Sequence, residues 1–449
     1  MGKPKNILVR RSERIFNRRH SLPVFEEESS DEADEGAVLE LNGLTDEGDV
    51  IDSITYDESD GGSGSEEYVS EEEGNHDDED DWTDNTKHLD NLTQSFDGMP
   101  SVADVMGEKE VDYFGKLLNE SITQRIVDET NLYSLQNQSK NWTPLSCQEL
   151  LAFVGMLILM GIHQLPTLKC YWSSDPILRV DAIAAVMPAS RFKKIVENLH
   201  LNDNEKQLPR TDPNYDKLHK LRPLLDHLND VIDRVYKPSS RYSIDESMIK
   251  FKGRCFLKQY MPQKPIKWGY KVWCLADALT GYIISFFIYT GQEVSKFATT
   301  LGERVVMKLA AKIKPGSIVA FDNFFTSFSL MKNLATKNIF ACGTVKSNSK
   351  GLPDFMRNNK ANQKVDKNMK RGEFQFKAKN RIAAVKWIDK KPVRFLSTAH
   401  SPRNVSNVRR RIGKGSRVDI GCPKVVEDYN KIMGGVDKFD QYHERYAID

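Results

Sequence analysis

The stretch RYSIDESMIKF at Arg241–Phe251 decides the fold. Its residues alternate in character, as expected of a β-strand, whose neighbouring side chains face opposite sides of a sheet. Two later runs, YKVWCLAD at Tyr270–Asp277 and YIISFFIY at Tyr282–Tyr289, are rich in the β-branched and aromatic residues typical of strands. Thr280–Gly281 between them indicates a tight turn. The sequence therefore predicts three strands, of which the last two form an antiparallel hairpin.

Helices and strands alternate after this hairpin. The pattern predicts a helix near Val294–Ile313, a strand at Ser317–Phe321, a helix at Ser327–Lys337 and a strand at Ile339–Val345. Lys314-Pro315-Gly316 closes the first helix, because proline and glycine interrupt regular structure. Three strands with a hairpin, then helix, strand, helix and strand, is the order of an RNase H-like core. We therefore predict an α/β fold with this core at residues 238–348.

Helical patterns precede the core, over residues 95–237. Ser146 with Glu149 three residues later is a capping-box pattern ahead of the apolar run Leu150–Ile162. Helical segments are predicted at 147–161, Arg191–His200 and 214–237. Their leucine and isoleucine stripe is more typical of a core than of a binding groove. The apolar run is shorter than the roughly 20 residues that span a bilayer, so no membrane contact is expected.

Strand-like runs reappear after the core, within residues 349–425. They lie at Phe374–Phe376, Arg381–Trp387 and Val393–Ser397, in an otherwise irregular and basic region. We interpret this region as a β-rich insertion. The last part, residues 426–449, resumes a helix at about Asn430–Tyr446.

Charge is distributed unevenly along a chain that is neutral as a whole. Of 64 basic and 64 acidic residues, 7 and 27 lie in residues 1–86, which leaves 57 and 37 in residues 87–449, a net charge of +20. A basic body favours a polyanionic partner, because phosphate contacts release counterions from nucleic acid. The alternative is a soluble surface with excess lysine. Double-stranded DNA is the partner that we expect.

The N-terminal residues 1–94 are predicted to be a disordered arm. Residues 1–20 are basic, a pattern that suits a nuclear localisation patch or a phosphate-binding segment. Residues 21–86 contain no lysine or arginine and cannot bury enough apolar area to offset chain entropy. Such an acidic segment is either a solvated tail or a competitor of DNA for the basic body. No apolar leader is present, and a nuclear location is expected.

Metal-binding patterns based on cysteine and histidine are missing from the sequence. The six cysteines contain no CxxC pair, and the nine histidines form no HxxxH-type cluster. A zinc site is therefore not expected. Scattered cysteines in a chain of this size suit a reducing compartment.

Two carboxylates stand at strand positions where they can meet. Asp245 lies on the first strand and Asp322 directly follows the strand Ser317–Phe321. In a core of this order the two strands lie side by side, whereas Asp245 and Glu246 point to opposite faces. Phosphodiester chemistry in such folds uses carboxylates that hold two divalent cations about 3.5–4 Å apart. The alternative is a pair of unrelated surface acids.

A third acidic position comes late in the chain. Asp437 and Asp440 are three residues apart, so on a helix they share a face. Gly434 and Gly435 before them permit a helix start or a close backbone approach. Acids favoured by the dipole at a helix N-terminus are the simpler alternative.

Several ordered motifs resemble the piggyBac transposase family. They are Ser243-Ile244-Asp245-Glu246-Ser247-Met248, Phe251-Lys252-Gly253-Arg254, Lys264-Pro265-Ile266-Lys267-Trp268-Gly269, Asp322-Asn323-Phe324-Phe325-Thr326-Ser327, Gly343-Thr344-Val345 and Tyr429-Asn430-Lys431-Ile432-Met433-Gly434-Gly435-Val436-Asp437. Earlier, Met160-Gly161-Ile162 and Tyr171-Trp172-Ser173 are similar to the family's helical region. The resemblance covers about residues 100–446.

The resemblance implies a DDE transposase site. Its catalytic and metal-binding aspartates are Asp245, Asp322 and Asp437, with Asp440 as an assisting acid and two Mg²⁺ or Mn²⁺ ions as cofactors. It also implies an RNase H-like core with a β-rich insertion, next to a helical dimerisation and DNA-binding region whose first half is 95–237. The implied reaction is nicking, hairpin formation and strand transfer into TTAA targets. Candidate phosphate contacts are Lys252, Arg254, Lys264, Lys267, Lys271, Lys346, Arg409, Arg410, Arg411, Lys414 and Arg417.

Three functions remain open at this point. The resemblance implies that family members continue beyond the position of Asp449 with a second helical segment and a cysteine-rich zinc module. We therefore expect weak recognition of transposon ends, and a homodimer or a heterodimer with a full-length relative. The acids favour a DDE transposase. The chain end favours a host-adopted or truncated nuclear DNA-binding or regulatory protein without transposition. The acidic arm is compatible with a nuclear interaction protein.

Overall fold

A large mixed sheet carries the fold, and the alternating stretch at Arg241–Lys250 lies near its middle. The computed structural model describes residues 82–89, 96–102, 109–262, 264–291, 299–412 and 416–445. Its helices are α1 (Glu110–Leu117), α2 (Glu120–Gln136), α3 (Cys147–Ile162), α4 (Asp181–Ala184), α5 (Ala189–Asn198), α6 (Arg222–Val235), α7 (Leu301–Leu309), α8 (Phe328–Thr336), α9 (Lys360–Asn368), α10 (Lys424–Ile432) and α11 (Gly435–Glu444). Its strands are β1 (Ser101–Val102), β2 (Tyr236–Lys237), β3 (Arg241–Lys250), β4 (Lys258–Tyr260), β5 (Trp268–Asp277), β6 (Ile283–Ile288), β7 (Ile318–Phe321), β8 (Phe340–Thr344), β9 (Phe374–Lys379), β10 (Ile382–Ile388), β11 (Pro392–Ser397), β12 (Val405–Ile412) and β13 (Ser416–Pro423).

The strand order confirms the pairing that the sequence predicts for the centre of the sheet. The sheet runs β4-β5-β3-β7-β8-β11-β10-β9, and β6 pairs with β5. β5 and β6 form the antiparallel hairpin, whose turn contains Gly281 at a φ of +79°, a backbone conformation that glycine adopts without strain. β3 pairs parallel with β7, and β7 pairs parallel with β8.

Both faces of the sheet are covered by helices. Tyr242 and Ile244 of β3 lie in a buried core that includes residues of α7 and α8. On the other face, buried residues of β7 and β8 pack with Val425 and Ile432 of α10. The odd-numbered residues of β3 face this second layer, because an added Cβ on Gly435 of α11 would lie 2.2 Å from the Ser243 hydroxyl. The site described below forms on that face.

The strands predicted for residues 349–425 extend the same sheet. β11 pairs antiparallel with β8, and β10 pairs with both β11 and β9. β12 and β13 form a separate antiparallel hairpin. The limits of the predicted insertion stay a prediction, since strand pairing does not define where a domain ends.

The helical region packs around its own apolar core. Residues of α2, α3 and α5 share this core, with Phe153 and Phe192 at its centre. Ser146 caps α3 by accepting a hydrogen bond from the Glu149 N–H at 3.2 Å. The Glu149 carboxylate pairs with Arg191 of α5 through two bonds of 2.6 Å, so it ties two helices together. The predicted start of α3 is confirmed.

Three predicted segments differ from the structure. The helix predicted at 214–237 begins only at Arg222, because Pro223 suits the first turn of a helix. The turns before it are held by two hydrogen bonds from the Arg222 guanidinium to the Asp216 carboxylate. The helix predicted at Asn430–Tyr446 is two helices, α10 and α11, which separate at Met433 and Gly434. The helix predicted from Val294 begins at Leu301, capped by the Thr300 hydroxyl, and residues 292–298 lie outside the described residues.

Part of the predicted arm lies against the sheet. Thr83 exchanges two backbone hydrogen bonds of 2.8 Å with Ala378 of β9, and Trp82 and Leu89 are buried. The predicted disorder of residues 1–94 is therefore wrong for this part. Trp82 and Leu89 supply apolar burial that the acidic tract around them lacks. Residues 1–81, including the basic and most of the acidic part, lie outside the described residues.

None of the helices in the described ranges is long and apolar enough to cross a membrane.

Candidate active site

Asp245 and Asp322 lie next to each other because of strand register. Ile244 of β3 is paired with Phe321 of β7. Asp245 directly follows Ile244, and Asp322 directly follows Phe321. The Asp245 carboxylate accepts a hydrogen bond from the Glu246 N–H at 2.9 Å. The Asp322 carboxylate accepts one from the Phe324 N–H at 2.9 Å. Backbone groups thus orient both acids at the same end of the sheet.

Burial makes the charged forms of these two acids unfavourable. It raises the pKa of Asp245 from 3.8 to about 8, and Lys264 opposes that rise. It also raises the pKa of Asp322, against the hydrogen bond from Phe324. The two carboxylates interact with each other, which adds to the effect. A cation at this position would stabilise both charges.

α11 brings two further acids to the same face. The Ser247 hydroxyl of β3 donates a hydrogen bond of 2.6 Å to the Asp440 carboxylate. Burial raises the pKa of Asp440, and the charge of Asp437 acts in the same direction. The close approach of α11 depends on Gly435, which leaves no space for a side chain next to Ser243. The structure therefore brings Asp437 and Asp440 towards the strand that carries Asp245.

Lys264 faces these acids from the loop between β4 and β5. Its Nζ donates to the Glu246 carbonyl oxygen at 2.8 Å and lies 3.7 Å from the Glu246 Oε1. Burial alone would lower the pKa of Lys264, but the carboxylates around it raise that pKa above its ordinary value. Lys264 is thus a charged neighbour of the acids.

Lys271 lies at the same end of the sheet but packs on aromatic rings. Its Nζ is 4.0 Å from the centroid of Trp273 and 5.2 Å from that of Phe324. Burial lowers the pKa of Lys271, although Glu246 opposes this. Contact with two ring faces stabilises the cation where water is scarce.

The donor set suits a hard divalent cation. All four aspartates offer oxygen atoms, which Mg²⁺ and Mn²⁺ prefer as ligands. Within the described ranges, no group of three or more His, Cys, Asp or Glu side chains is arranged to hold a metal ion. The oxygen donors thus fit the metal in their chemistry but are not closed around one point, and the Lys264 ammonium is one of the positive charges that face them.

The candidate phosphate contacts fall into three groups. Lys264, Lys271 and Lys346 act on the charges of the acids. Lys252, Arg254 and Lys267 are exposed near the β3–β5 connection. Arg409, Arg410, Arg411 and Arg417 lie on the β12–β13 hairpin, where Arg409 pairs with Asp419 and Arg410 with Asp389. Lys414 lies outside the described residues. Their contacts with phosphate stay predictions.

Ser247 is a partner of the site that the motifs alone do not single out. A strand places residues i and i+2 on the same face, so the period of β3 pairs Ser247 with Asp245. That signal was present in the sequence. The position of Lys264 had no local signal, because its side chain reaches the acids through tertiary structure.

Asp245 on β3 and Asp322 directly after β7 thus lie on adjoining parallel strands, and α11 brings two further acids to β3. The family model described as Transposase IS4 matches residues 109–449. The chain belongs to the piggyBac transposase family.

Human relatives and a solved structure support this membership. The chain is 30% identical over 340 residues to human PiggyBac transposable element-derived protein 3, and the alignment covers 73% of the chain and 55% of the relative. It is 29% identical over 361 residues to human PiggyBac transposable element-derived protein 2, covering 78% and 59%. A cryo-EM structure of a piggyBac transposase synaptic complex with hairpin DNA matches with a TM-score of 0.65 at 25% identity, covering 79% of this chain and 72% of the other. The chain spans less than two thirds of the length of these curated relatives.

Proposed function

We propose that the chain is a transposase-derived DNA-binding protein whose RNase H-like sheet cuts and joins DNA strands with divalent metal ions. Asp245, Asp322 and Asp437 are the metal-binding catalytic residues, and Asp440 assists them. The observation that supports this best is the parallel register of β3 and β7, which places Asp245 beside Asp322 on the face packed by α11.

In this proposal the metal ions supply the chemistry, and neighbouring groups hold three of the four acids in place. Two Mg²⁺ or Mn²⁺ ions, when bound, supply activation of the attacking oxygen and stabilisation of the leaving oxygen. Asp245 and Asp322 are oriented by backbone N–H groups, so their carboxylates are fixed before substrate arrives. Ser247 fixes Asp440 in the same way from the strand. Such preorganisation lowers the cost of binding charged ligands.

Duplex DNA is the proposed partner. The matching solved complex contains hairpin DNA, and residues 87–449 of this chain carry a net charge of +20. Exposed lysine and arginine side chains position a protein on phosphates but carry no sequence information. We expect weak binding with little sequence preference, at about 10⁻⁴–10⁻⁶ M at physiological salt. A nuclear location and a homodimer, or a heterodimer with a longer relative, belong to the same proposal.

A nicking assay on supercoiled plasmid DNA with Mn²⁺ tests the function. Asn at Asp245, Asp322 or Asp437 removes a ligand charge, and we expect each to reduce metal-dependent nicking by at least about a hundredfold. Asp230→Asn changes an exposed aspartate of α6 and is the matched control. The site assignment is wrong if the triple Asn variant nicks as fast as the parent.

A second function is a host nuclear DNA-binding protein that retains the fold without transposition. The human relatives are named as transposable element-derived proteins, which favours this alternative. DNA binding without nicking by the purified chain, in the presence of Mn²⁺ and with all four aspartates intact, would support it.

A further inference from the structure

The Lys264 side chain is enclosed at the acidic end of the sheet. Only 19% of it is exposed, and its Nζ donates to the Glu246 carbonyl oxygen at 2.8 Å. That bond holds the ammonium beside Glu246, in the middle of β3 and next in sequence to Asp245. A lysine that merely served solubility would extend into water.

The loop that carries Lys264 is closed by its own backbone. The Met261 N–H donates to the Lys267 carbonyl at 2.8 Å, and the Lys264 N–H donates to the Met261 carbonyl at 3.2 Å. Gly269, the second residue of β5, lies so close to β3 that an added Cβ would be 1.9 Å from the Ile249 carbonyl oxygen. The position of Lys264 is therefore built into the fold.

Four carboxylates share this one ammonium. Asp245, Glu246, Asp437 and Asp440 all interact with Lys264 electrostatically. Lys271 also interacts with Glu246, Asp245 and Asp322, but its Nζ packs on the rings of Trp273 and Phe324. Lys346 acts on Asp322, and His443 acts on Asp440. Like charges this close, at reduced dielectric, repel one another unless a cation lies between them.

We infer that the Lys264 ammonium is an internal counterion, which holds the carboxylates together before metal binds and competes with divalent metal for them. This rests on the proposed function, since it concerns the same acids. It assigns Lys264 a positioning role rather than a phosphate contact. It also accounts for several acids that lie together, although no three of them in the described ranges are arranged to hold a metal ion.

Calorimetric titration of the full chain with Mn²⁺, at fixed pH and ionic strength, tests the inference. Lys264→Met removes the competing charge, and we expect it to bind Mn²⁺ about three- to tenfold more tightly than the parent. Lys264→Arg keeps the charge, and Lys332→Met removes an exposed lysine of α8 that belongs to no proposed site. Both should remain within about twofold of the parent. A merely structural lysine would not produce tighter binding when removed.

Thermal unfolding gives an independent measurement. In EDTA we expect Lys264→Met to unfold at a lower temperature than Lys264→Arg, because its carboxylates repel one another without a cation. Saturating Mn²⁺ should remove most of that difference. If Lys264→Met does not fold without metal, Mn²⁺ should restore folding, and failure to recover contradicts the inference.

The outcomes separate the inference from the proposed function. Unchanged or weaker Mn²⁺ binding by Lys264→Met, with parental binding that Asp245→Asn abolishes, overturns the inference alone. Absence of Mn²⁺ binding in the parent and in Lys264→Met alike overturns both the inference and the proposed function.

Discussion

Three of the four acids of the candidate site are oriented by a group close to them in the fold. Backbone N–H groups of the following residues hold Asp245 and Asp322, and the Ser247 hydroxyl holds Asp440. Burial raises the pKa of all three carboxyls, because the protein interior stabilises their charged forms less than water does. Holding these acids in the charged form therefore lowers the stability of the folded protein, and such perturbed groups are common at functional sites.

Gly435 sets how close α11 comes to the strand. Gly435→Ala would place a Cβ 2.2 Å from the Ser243 hydroxyl and 3.2 Å from the Asp277 carbonyl oxygen. We expect this overpacking to lower the free energy of unfolding by about 1–3 kcal/mol and to reduce nicking, because α11 must move away with Asp437 and Asp440. Chemical denaturation and the plasmid assay measure the two effects.

Gly434→Ala is the matched control for this change. Nothing lies within 4 Å of a Cβ at Gly434, and its φ of −76° suits any residue. We expect both stability and nicking to stay close to those of the parent. Equal effects of the two alanines would show that the helix break, rather than close packing, is what α11 needs.

Elements differ in how far the sequence predicts them. Ser146 gives the start of α3, and the alternation at Arg241–Lys250 gives β3, because both signals are local. The adjacency of Asp245 and Asp322 follows from strand order and could be predicted as well. The sequence predicts one helix where α10 and α11 are separate, since Gly434 and Gly435 permit either a continuous helix or a break. The burial of Trp82 depends on distant strands that local composition does not reveal.

α10 is fastened to the β12–β13 hairpin by Glu427. Its carboxylate accepts a hydrogen bond of 2.6 Å from the Ser406 hydroxyl and pairs with Lys424 and Lys431. These partners, Lys424 first, lower the pKa of Glu427 from 4.5 to about 2. The carboxylate is stabilised in the folded state, so its contribution is full above pH 4.5 and is lost as the pH falls towards 2.

Glu427→Gln should therefore destabilise the protein in a pH-dependent way. At pH 7 we expect a loss of about 1–2 kcal/mol, discounted for the partial exposure of the pair. The loss should shrink as the pH falls from 4.5 towards 2. Glu197→Gln, which breaks an exposed pair with Lys194, should change stability by less than about 0.5 kcal/mol at any pH. A pH-independent loss at Glu427 would contradict the charge argument.

Charge separation dominates the molecule as a whole. The acidic residues concentrate before Trp82, whereas residues 87–449 carry the net charge of +20. Opposite charges on one chain compete with external partners for the same surface. The sequence alone reveals this separation, but it does not show where on the basic body the acidic residues would bind.

Removal of residues 21–81 tests that competition while sparing the segment that lies on the sheet. We expect the deletion to tighten binding to duplex DNA by about tenfold at low salt, with a smaller effect at high salt, where screening is stronger. Fluorescence anisotropy across a salt series measures it. A neutral glycine–serine segment of equal length in place of residues 21–81 should behave like the deletion, since charge rather than length causes the effect. Equal affinity with and without the acidic segment would exclude the competition.

The order of the acids along the chain has a consequence for biosynthesis. More than a hundred residues separate Asp322, directly after β7, from Asp437 on α11, and the strands β9–β11 are made in between. At about 5–20 residues per second, the ribosome needs several seconds to pass from one to the other. During that interval the nascent chain contains Asp245 and Asp322 but not the helix that carries Asp437 and Asp440. A chain that is still being translated therefore has an incomplete set of acids, and the set becomes complete only after α11 has been synthesised.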